Sequence, residues 1–488
     1  MSAAALLLLT LGLPLARAAL AAIAPRPPGL RDVLNIGLAL AHAAAAIMLV
    51  ARVAQGESAE IVIARPLPDI AFAFALEPTG AVVAAAIAVL SAPHAIHMTG
   101  YLRATQDAAP ARFMAFVSLS ICMATGVAFA ANLFTLFVFY QGLTLASLPL
   151  VAHTGDEAAR NALRTYLSIL LASAVGLLLP AMVWTHALAG DLNFRAGGVL
   201  AGHVGPGTAN ALLLLFVFGY AKTALPPLHR WLSATAQAPL PAIGAIAALS
   251  VIPAGAIALL KTVLYVFGPA MADARIASTA LLALASFVTV AAALNALGKA
   301  DVRARLIYAL IAQSAAIVAG AMLATAPGTY SALLQIVAQS VAALTLTMSF
   351  GAVHAATGRL NVEEMDGLGR LMPWTFAGVA IGAVSLIGLP PLAGAWPKLW
   401  FMTASAESGV IWAGGLAAIA AIATFACLAP LAARAFVAAA PTDPFQRPDG
   451  ASILLVAPIV FGAAMTLGLI ATVDALYRFL TPIWLTPP

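Results

Sequence analysis

Apolar runs long enough to cross a bilayer alternate along this chain with short clusters of Pro, Gly and charge. A helix needs about 20 apolar residues to span the hydrocarbon. Runs near 3–24, 33–54, 72–102, 112–130, 132–153, 161–188, 208–227, 240–268, 276–297, 304–325, 329–355, 373–403, 409–438 and 451–479 predict about 14 transmembrane helices in an all-α polytopic membrane protein. The first run lacks a basic leader, its apolar part is long and Arg17 comes late, so it reads as a span and not a signal peptide. The longest polar connections, 55–70, 189–207, 356–372 and 439–450, are short. The chain 1–488 therefore reads as a single membrane domain.

One internal echo breaks the regularity. Leu225-Pro226-Pro227-Leu228, near the end of the seventh span, recurs as Leu389-Pro390-Pro391-Leu392 within the twelfth. Proline removes a rung of the helical ladder, and lipid tolerates this only where the freed carbonyls meet protein or water. Paired broken helices in corresponding places point to an inverted-repeat transporter. The alternative is that Pro-rich kinks are common in membrane helices and that a four-residue match arises by chance.

Composition narrows the reading. Only 8% of residues are charged, against roughly 25% in soluble domains, and mean hydropathy is +1.02. The net charge of +5 then concerns topology and not nucleic acid. With the N-terminus outside, inner loops collect Arg26, Arg31, Arg103, Arg112, Arg160, Arg164, Arg230, Lys299, Arg303, Arg305, Arg359, Arg370, Arg434 and Arg447. The outer side collects Arg52, Arg65, Arg195, Arg275 and Arg478. Fourteen against five places both termini on the non-cytoplasmic side of a bacterial-type inner membrane. Two cysteines cannot hold an iron–sulfur cluster or a four-ligand zinc site. The eight histidines lack metal-ligand spacing, and neither GxGxxG after a strand nor GxxxxGK[ST] occurs. No cofactor is expected on this chain, so redox chemistry would belong to a partner.

Candidate chemistry rests on lysine. Of four lysines, Lys222, Lys261 and Lys398 fall inside spans, where an ammonium costs about 2.5–3.5 kcal/mol even on lenient scales. Removal from water disfavours the charged form of an amine, which makes such a lysine a candidate proton carrier. Lys222 precedes one Pro-Pro break and Lys398 follows the other, whereas Lys261 lies nearer a helix end, within snorkelling reach. Acid is scarce: Glu77 heads the third span and Asp474 lies near the end of the last, neither central. Gln141 in the fifth span and Gln339 in the eleventh can hydrogen-bond in a proton path but not titrate; interhelical contact is the alternative. His229, beside Arg230, reads as a turn or cap with a relay role open. Tyr308 and Gln313 read as packing.

Together these segments resemble the antiporter-like, proton-conducting membrane subunits of complex I, Mrp-type cation/proton antiporters and membrane-bound hydrogenases. The resemblance rests on NLFTLFVFYQGLTLASLPLVAHTG (132–155), FGYAKTALPPLHRWLSATAQAPLP (218–241), KTVLYVFGP (261–269), DVRARLIYALIAQSAAIVAGAML (301–323) and GLGRLMPWTFAGVAIGAVSLIGLPPLAGAWPKLWF (367–401). It implies three N-terminal helices (1–110), an inverted repeat of two five-helix units (111–268 and 275–438) with proline-broken helices 7 and 12, and a C-terminal helix (451–488). It also implies that Lys222 and Lys398 are stations of a central polar axis and that Arg303 fills a basic position. The chain departs from the pattern where Gln141 replaces the usual fifth-span glutamate, and where Ala247, Pro253, Gln339 and Ala343 stand at titratable positions.

The implied function is proton or cation/proton translocation within a multi-subunit complex of other membrane subunits, not catalysis by this chain alone. Two alternatives stay open: the membrane partner of a two-component inorganic-carbon uptake system with a soluble zinc protein, and a conduction-impaired scaffold. The charge bias makes a direct prediction. Reporter fusions at 230, 303 and 365 should score cytoplasmic and those near 62, 195 and 327 external; a cytoplasmic signal at 195 would overturn the span count.

Overall fold

The computed structural model describes residues 1–23, 28–439 and 452–485. Arg26, Arg447 and the connection 440–451 lie outside the described residues. The helices are α1 Ala3–Ile23, α2 Pro28–Ala54, α3 Pro78–Ala104, α4 Pro110–Phe129, α5 Leu133–Val151, α6 Glu157–Ala189 and α7 Pro206–Gly219. They continue as α8 Leu240–Met271, α9 Arg275–Leu297, α10 Val302–Met322, α11 Ala326–Thr357, α12 Pro373–Ile387, α13 Ala395–Glu407, α14 Ile411–Val437 and α15 Ile453–Leu480. Among the described residues twelve helices are long and apolar enough to cross a membrane. The chain is a multi-pass membrane protein.

Twelve of the fourteen expected spans coincide with these long helices, and the expected seventh and twelfth coincide with shorter apolar helices, Pro206–Gly219 and Pro373–Ile387. The seventh span stops at Gly219, turns through residues 220–229 and resumes as Arg230–Ala234. The twelfth stops at Ile387, turns through Gly388 at φ +88° and resumes as α13. Pro226–Pro227 and Pro390–Pro391 are both cis peptide bonds.

A second departure concerns the expected all-α architecture and the span near 72–102. Residues Ala59–Leu67 (β1) and Ile70–Leu76 (β2) pair as an antiparallel hairpin, Ala59 opposite Leu76 and Ile61 opposite Phe74. The run Ile-Ala-Phe-Ala-Phe-Ala-Leu at 70–76 alternates large and small residues with period two, the strand period. Pro78 then forces Glu77 out of the helical region and occupies the first helical position, where its missing N–H costs nothing. Glu77 caps α3, accepting from the backbone N–H of Thr79 and Gly80. The apolar segment 72–102 is therefore strand over its first five residues and helix from Pro78 onward.

The hairpin is tied to the helices by backbone bonds. Ala131 N–H donates to Ala73 O at 3.0 Å, and Ala73 N–H to Thr135 Oγ1 at 3.0 Å. Asn132, which caps α5, also donates through Nδ2 to Ala71 O at 2.8 Å. At the opposite end of the bundle the Asp32 carboxylate bridges Arg31 and Arg103, joining α2 to α3.

Helix α8 is enclosed over all but its last turns and α11 over most of its length, while α2, α6, α14 and α15 turn most of their side chains outward. The two pack against each other; α8 is apolar or small on nearly every face, the pattern of a buried helix, whereas α11 also carries Gln and Thr. Close approach depends on glycine at the break in the twelfth span: a Cβ on Gly394 would collide with the Ser385 carbonyl oxygen. Gly394→Ala should destabilise the folded protein by at least about 1–3 kcal/mol, read as lower yield and lower thermal midpoint in detergent. Gly12→Ala, with open space at its Cβ position, should leave both unchanged.

Candidate functional site

Three lysines come to rest inside the bundle, each at a point of helical irregularity. Lys222 sits on the short turn Ala221–Thr223 that follows α7, and is fully buried. Its Nζ donates to Tyr140 O at 3.0 Å and to Thr144 Oγ1 at 2.7 Å, and lies 3.4 Å from the centroid of the Tyr140 ring. One carbonyl, one hydroxyl and one π face thus occupy the three directions of an ammonium. The Tyr140 hydroxyl accepts from the Lys222 backbone N–H at 3.2 Å. Trp231 Nε1 donates to Ala221 O at 2.7 Å, an oxygen that also accepts from the Ala224 N–H at 2.9 Å. Gly255 of α8 makes room, because a Cβ there would lie 2.7 Å from Lys222 Cβ.

Lys261 overturns the snorkelling reading. It is fully buried on α8, directly before the π-helical turn Thr262–Phe267. Its Nζ donates to Ala130 O at 2.9 Å and pairs with Glu77 Oε1 at 3.2 Å. Glu77 also accepts from the Gly80 N–H at 2.8 Å, the Tyr265 hydroxyl at 2.7 Å and the Thr79 hydroxyl. The carboxylate of a buried lysine pair is therefore supplied by the cap of α3, a position that looks marginal in the sequence.

Aromatic and hydroxyl groups connect these two lysines. The Tyr140 ring meets the Tyr220 ring edge-on at 5.7 Å, and the Tyr220 hydroxyl hydrogen-bonds Thr262 Oγ1 at 2.7 Å, next in sequence to Lys261. Gln141 is not part of this arrangement. Its Oε1 is buried without a hydrogen bond, and among the described residues the Lys222 ammonium finds its partners one position earlier and one turn later, at Tyr140 and Thr144.

Lys398 forms a second centre. Its Nζ donates to Leu386 O at 2.8 Å and Ile387 O at 2.5 Å, the last carbonyls of α12. A cation there satisfies orphan acceptors and complements the negative end of the helix dipole. Lys398 lines a cavity with Ser286, Thr289, Gln313, Ser331 and Gln335. Gln335 Nε2 donates to Gln313 Oε1 at 3.0 Å, and Gln339 Nε2 to Ser314 Oγ at 3.3 Å. Ser331, Gln335 and Gln339 recur every four residues, so they share one face of α11. Gln313, read from sequence as packing, is thus part of this polar seam. One helical step further along α11, Ala343 is buried and apolar.

Helix α10 touches both the Lys222 turn and α11, so the seam lies between the two centres. His229 stays apart: it is half-buried at the start of Arg230–Ala234, with its Nδ1 unbonded. Asp474 is exposed and paired with Arg478 at 2.7 Å. Arg303 binds Asp301, the cap of α10, at 2.9 Å.

The chain that carries these buried ammonium groups has recognisable relatives. Residues 130–424 match the family described as NADH:quinone oxidoreductase/Mrp antiporter, TM. Over 295 residues the chain is 26% identical to an Na(+)/H(+) antiporter subunit of Alkalihalophilus pseudofirmus, covering 60% of this chain and 59% of that protein. Over 370 residues it is 26% identical to an NADH-quinone oxidoreductase subunit of Desulforudis audaxviator, covering 75% and 73%. The fold is shared with a chain of the Mrp complex from Dietzia sp. DQ12-45-1b, at a TM-score of 0.84 and 20% identity over 99% of this chain and 96% of that one. The chain belongs to the NADH:quinone oxidoreductase/Mrp antiporter transmembrane family.

Proposed function

We propose that this chain is the proton- or cation/proton-translocating membrane subunit of a multi-subunit complex. The observation that carries the reading is Lys222, an ammonium held away from water by a carbonyl, a hydroxyl and a ring, with no carboxylate among its hydrogen-bond partners in the described residues. A group held this way has a soft attachment: it can lose a proton without stranding a buried anion. Lys261 is the contrasting station, its charge fixed by Glu77. Lys398, on the polar seam, is the third.

In this reading the chain crosses a bacterial-type inner membrane fourteen times, counting the two interrupted spans, with both termini on the non-cytoplasmic side. Units 111–268 and 275–438 form an inverted repeat, with helices 1–110 before it and the C-terminal helix 451–488 after it. The echo of Leu-Pro-Pro-Leu at the two breaks supports the pairing. Neighbouring membrane subunits complete the path, and any redox or zinc chemistry sits on a soluble partner.

In vesicles containing the assembled complex, Lys222→Ala should abolish ion translocation while leaving subunit abundance unchanged. Flux equal to wild type would reduce the chain to a scaffold. The Glu77–Lys261 pair should behave differently. Removing one partner of a buried pair costs about 3–5 kcal/mol, so Glu77→Ala alone should lower abundance sharply. The double variant Glu77→Gln, Lys261→Met should recover much of that abundance without recovering flux. Abundance measured by immunoblot, set against flux in the same vesicles, separates the structural and conducting parts of the pair.

A further inference from the structure

Much of the unused polar capacity of this molecule lies away from the lysines. Among the described residues, buried nitrogens and oxygens without a hydrogen bond concentrate in α1–α4, on Arg17, Asn35, His42, His94, His97 and Ser120. Buried polar groups are normally bonded, and ordered water is the usual partner when protein supplies none. The arrangement of these groups gives such water a direction.

His94, His97 and Tyr101 occupy positions i, i+3 and i+7 of α3, one face of that helix. All three are buried. At the deep end, His94 Nε2 lies 2.8 Å from Pro241 O, in the first turn of α8, the enclosed helix that carries Lys261. At the other end, the Tyr101 hydroxyl lies 3.0 Å from His354 Nδ1 on α11. The His97 and Tyr101 rings stand 6.4 Å apart and the Tyr101 and His354 rings 5.8 Å apart, both pairs stacked. His354 is half-buried and close to Arg303 and Asp301, while Tyr101 is close to Arg303 and Asp107. Arg17 stands near His42 and His94.

His97 is the critical member. Both ring nitrogens lack a hydrogen bond, although the Met348 carbonyl is nearby, and His94 Nδ1 lacks one too. A neutral imidazole has one donor and one acceptor; the Met348 carbonyl can take only the donor, so the acceptor nitrogen of His97 stays without a partner among the described residues. Gly351 of α11 leaves the space for its ring, since a Cβ there would lie 2.7 Å from His97 Cε1. Meanwhile Ala247 and Pro253 of α8 and Ala343 of α11, where the family resemblance leads one to expect titratable groups, are apolar.

We propose that His354, Tyr101, His97 and His94 line a hydrated side branch that carries protons from the Arg303 end of the bundle to α8. Water fills the gaps between the rings. Each imidazole accepts a proton at one nitrogen and releases one from the other, so no net charge or atom is left behind. The branch rests on the translocation reading above, and it supplies an inlet through α3 where α8 and α11 lack stations.

Two measurements test it. Radiolytic hydroxyl-radical footprinting of the intact complex reports water beside individual side chains. His97 and Tyr101 should be modified despite their burial, and protection of both, with exposed residues labelled normally, would overturn the branch whatever the flux. In vesicles, His97→Phe should slow proton uptake by about tenfold or more, and His97→Gln, which keeps hydrogen-bonding groups, should retain more flux than His97→Phe. Wild-type flux in His97→Phe, with Lys222→Ala inactive, would overturn the branch and leave the function standing. Wild-type flux in Lys222→Ala would instead refute the function itself. If His97→Phe fails to assemble, the footprint of the wild-type complex decides.

Discussion

Everything distinctive in this molecule follows from one constraint of the bilayer: a backbone carbonyl released from its helix must find a donor inside the protein. Both proline-broken spans release such carbonyls. At the twelfth, the donor is the Lys398 ammonium, bonded to Leu386 and Ile387. At the seventh, the Ala221 carbonyl accepts from both the Ala224 N–H and Trp231, while Lys222 turns to Tyr140 and Thr144. The cost of burying an amine and the cost of breaking a helix thus partly offset each other. Charge enters the membrane where the backbone has already been opened.

Much of this was legible in the sequence, for physical reasons that differ from residue to residue. Long apolar runs report lipid contact directly, and a lysine within such a run is conspicuous, so Lys222 and Lys398 could be found beside their Pro-Pro breaks. The hairpin at 59–76 escaped because hydropathy alone does not distinguish a buried strand from the start of a helix. The period-two alternation of 70–76 and the Glu77-Pro78 junction carried the missing signal. Glu77 itself looked peripheral because its position was judged along the chain. Its partner Lys261 arrives from a distant helix, a proximity that no one-dimensional pattern contains.

Gln141 is instructive in another way. The family resemblance places an acid there, and the glutamine is a candidate for the proton path. Yet adjacent helical residues point about 100° apart, and the lysine is held by the neighbours on a different face, Tyr140 and Thr144. The polar seam on α11 shows the opposite case: Gln335 and Gln339 have the spacing of one face, and the structure joins them to α10 through Gln313 and Ser314.

The glycines facing the two break-associated lysines carry an evolutionary consequence. A Cβ on Gly255 would strike Lys222, and one on Gly388 would strike Lys398 at Cδ. Each lysine therefore shares its place with a glycine on another segment. Loss of the lysine does not release its glycine: Gly388 sits at φ +88°, and a Cβ on Gly255 would still meet the backbone of Lys222 and Thr223 at 2.8 and 3.0 Å. Lineages that retire from ion transport should therefore lose the lysines first and keep the glycines, so that a glycine without its lysine marks a former conductor.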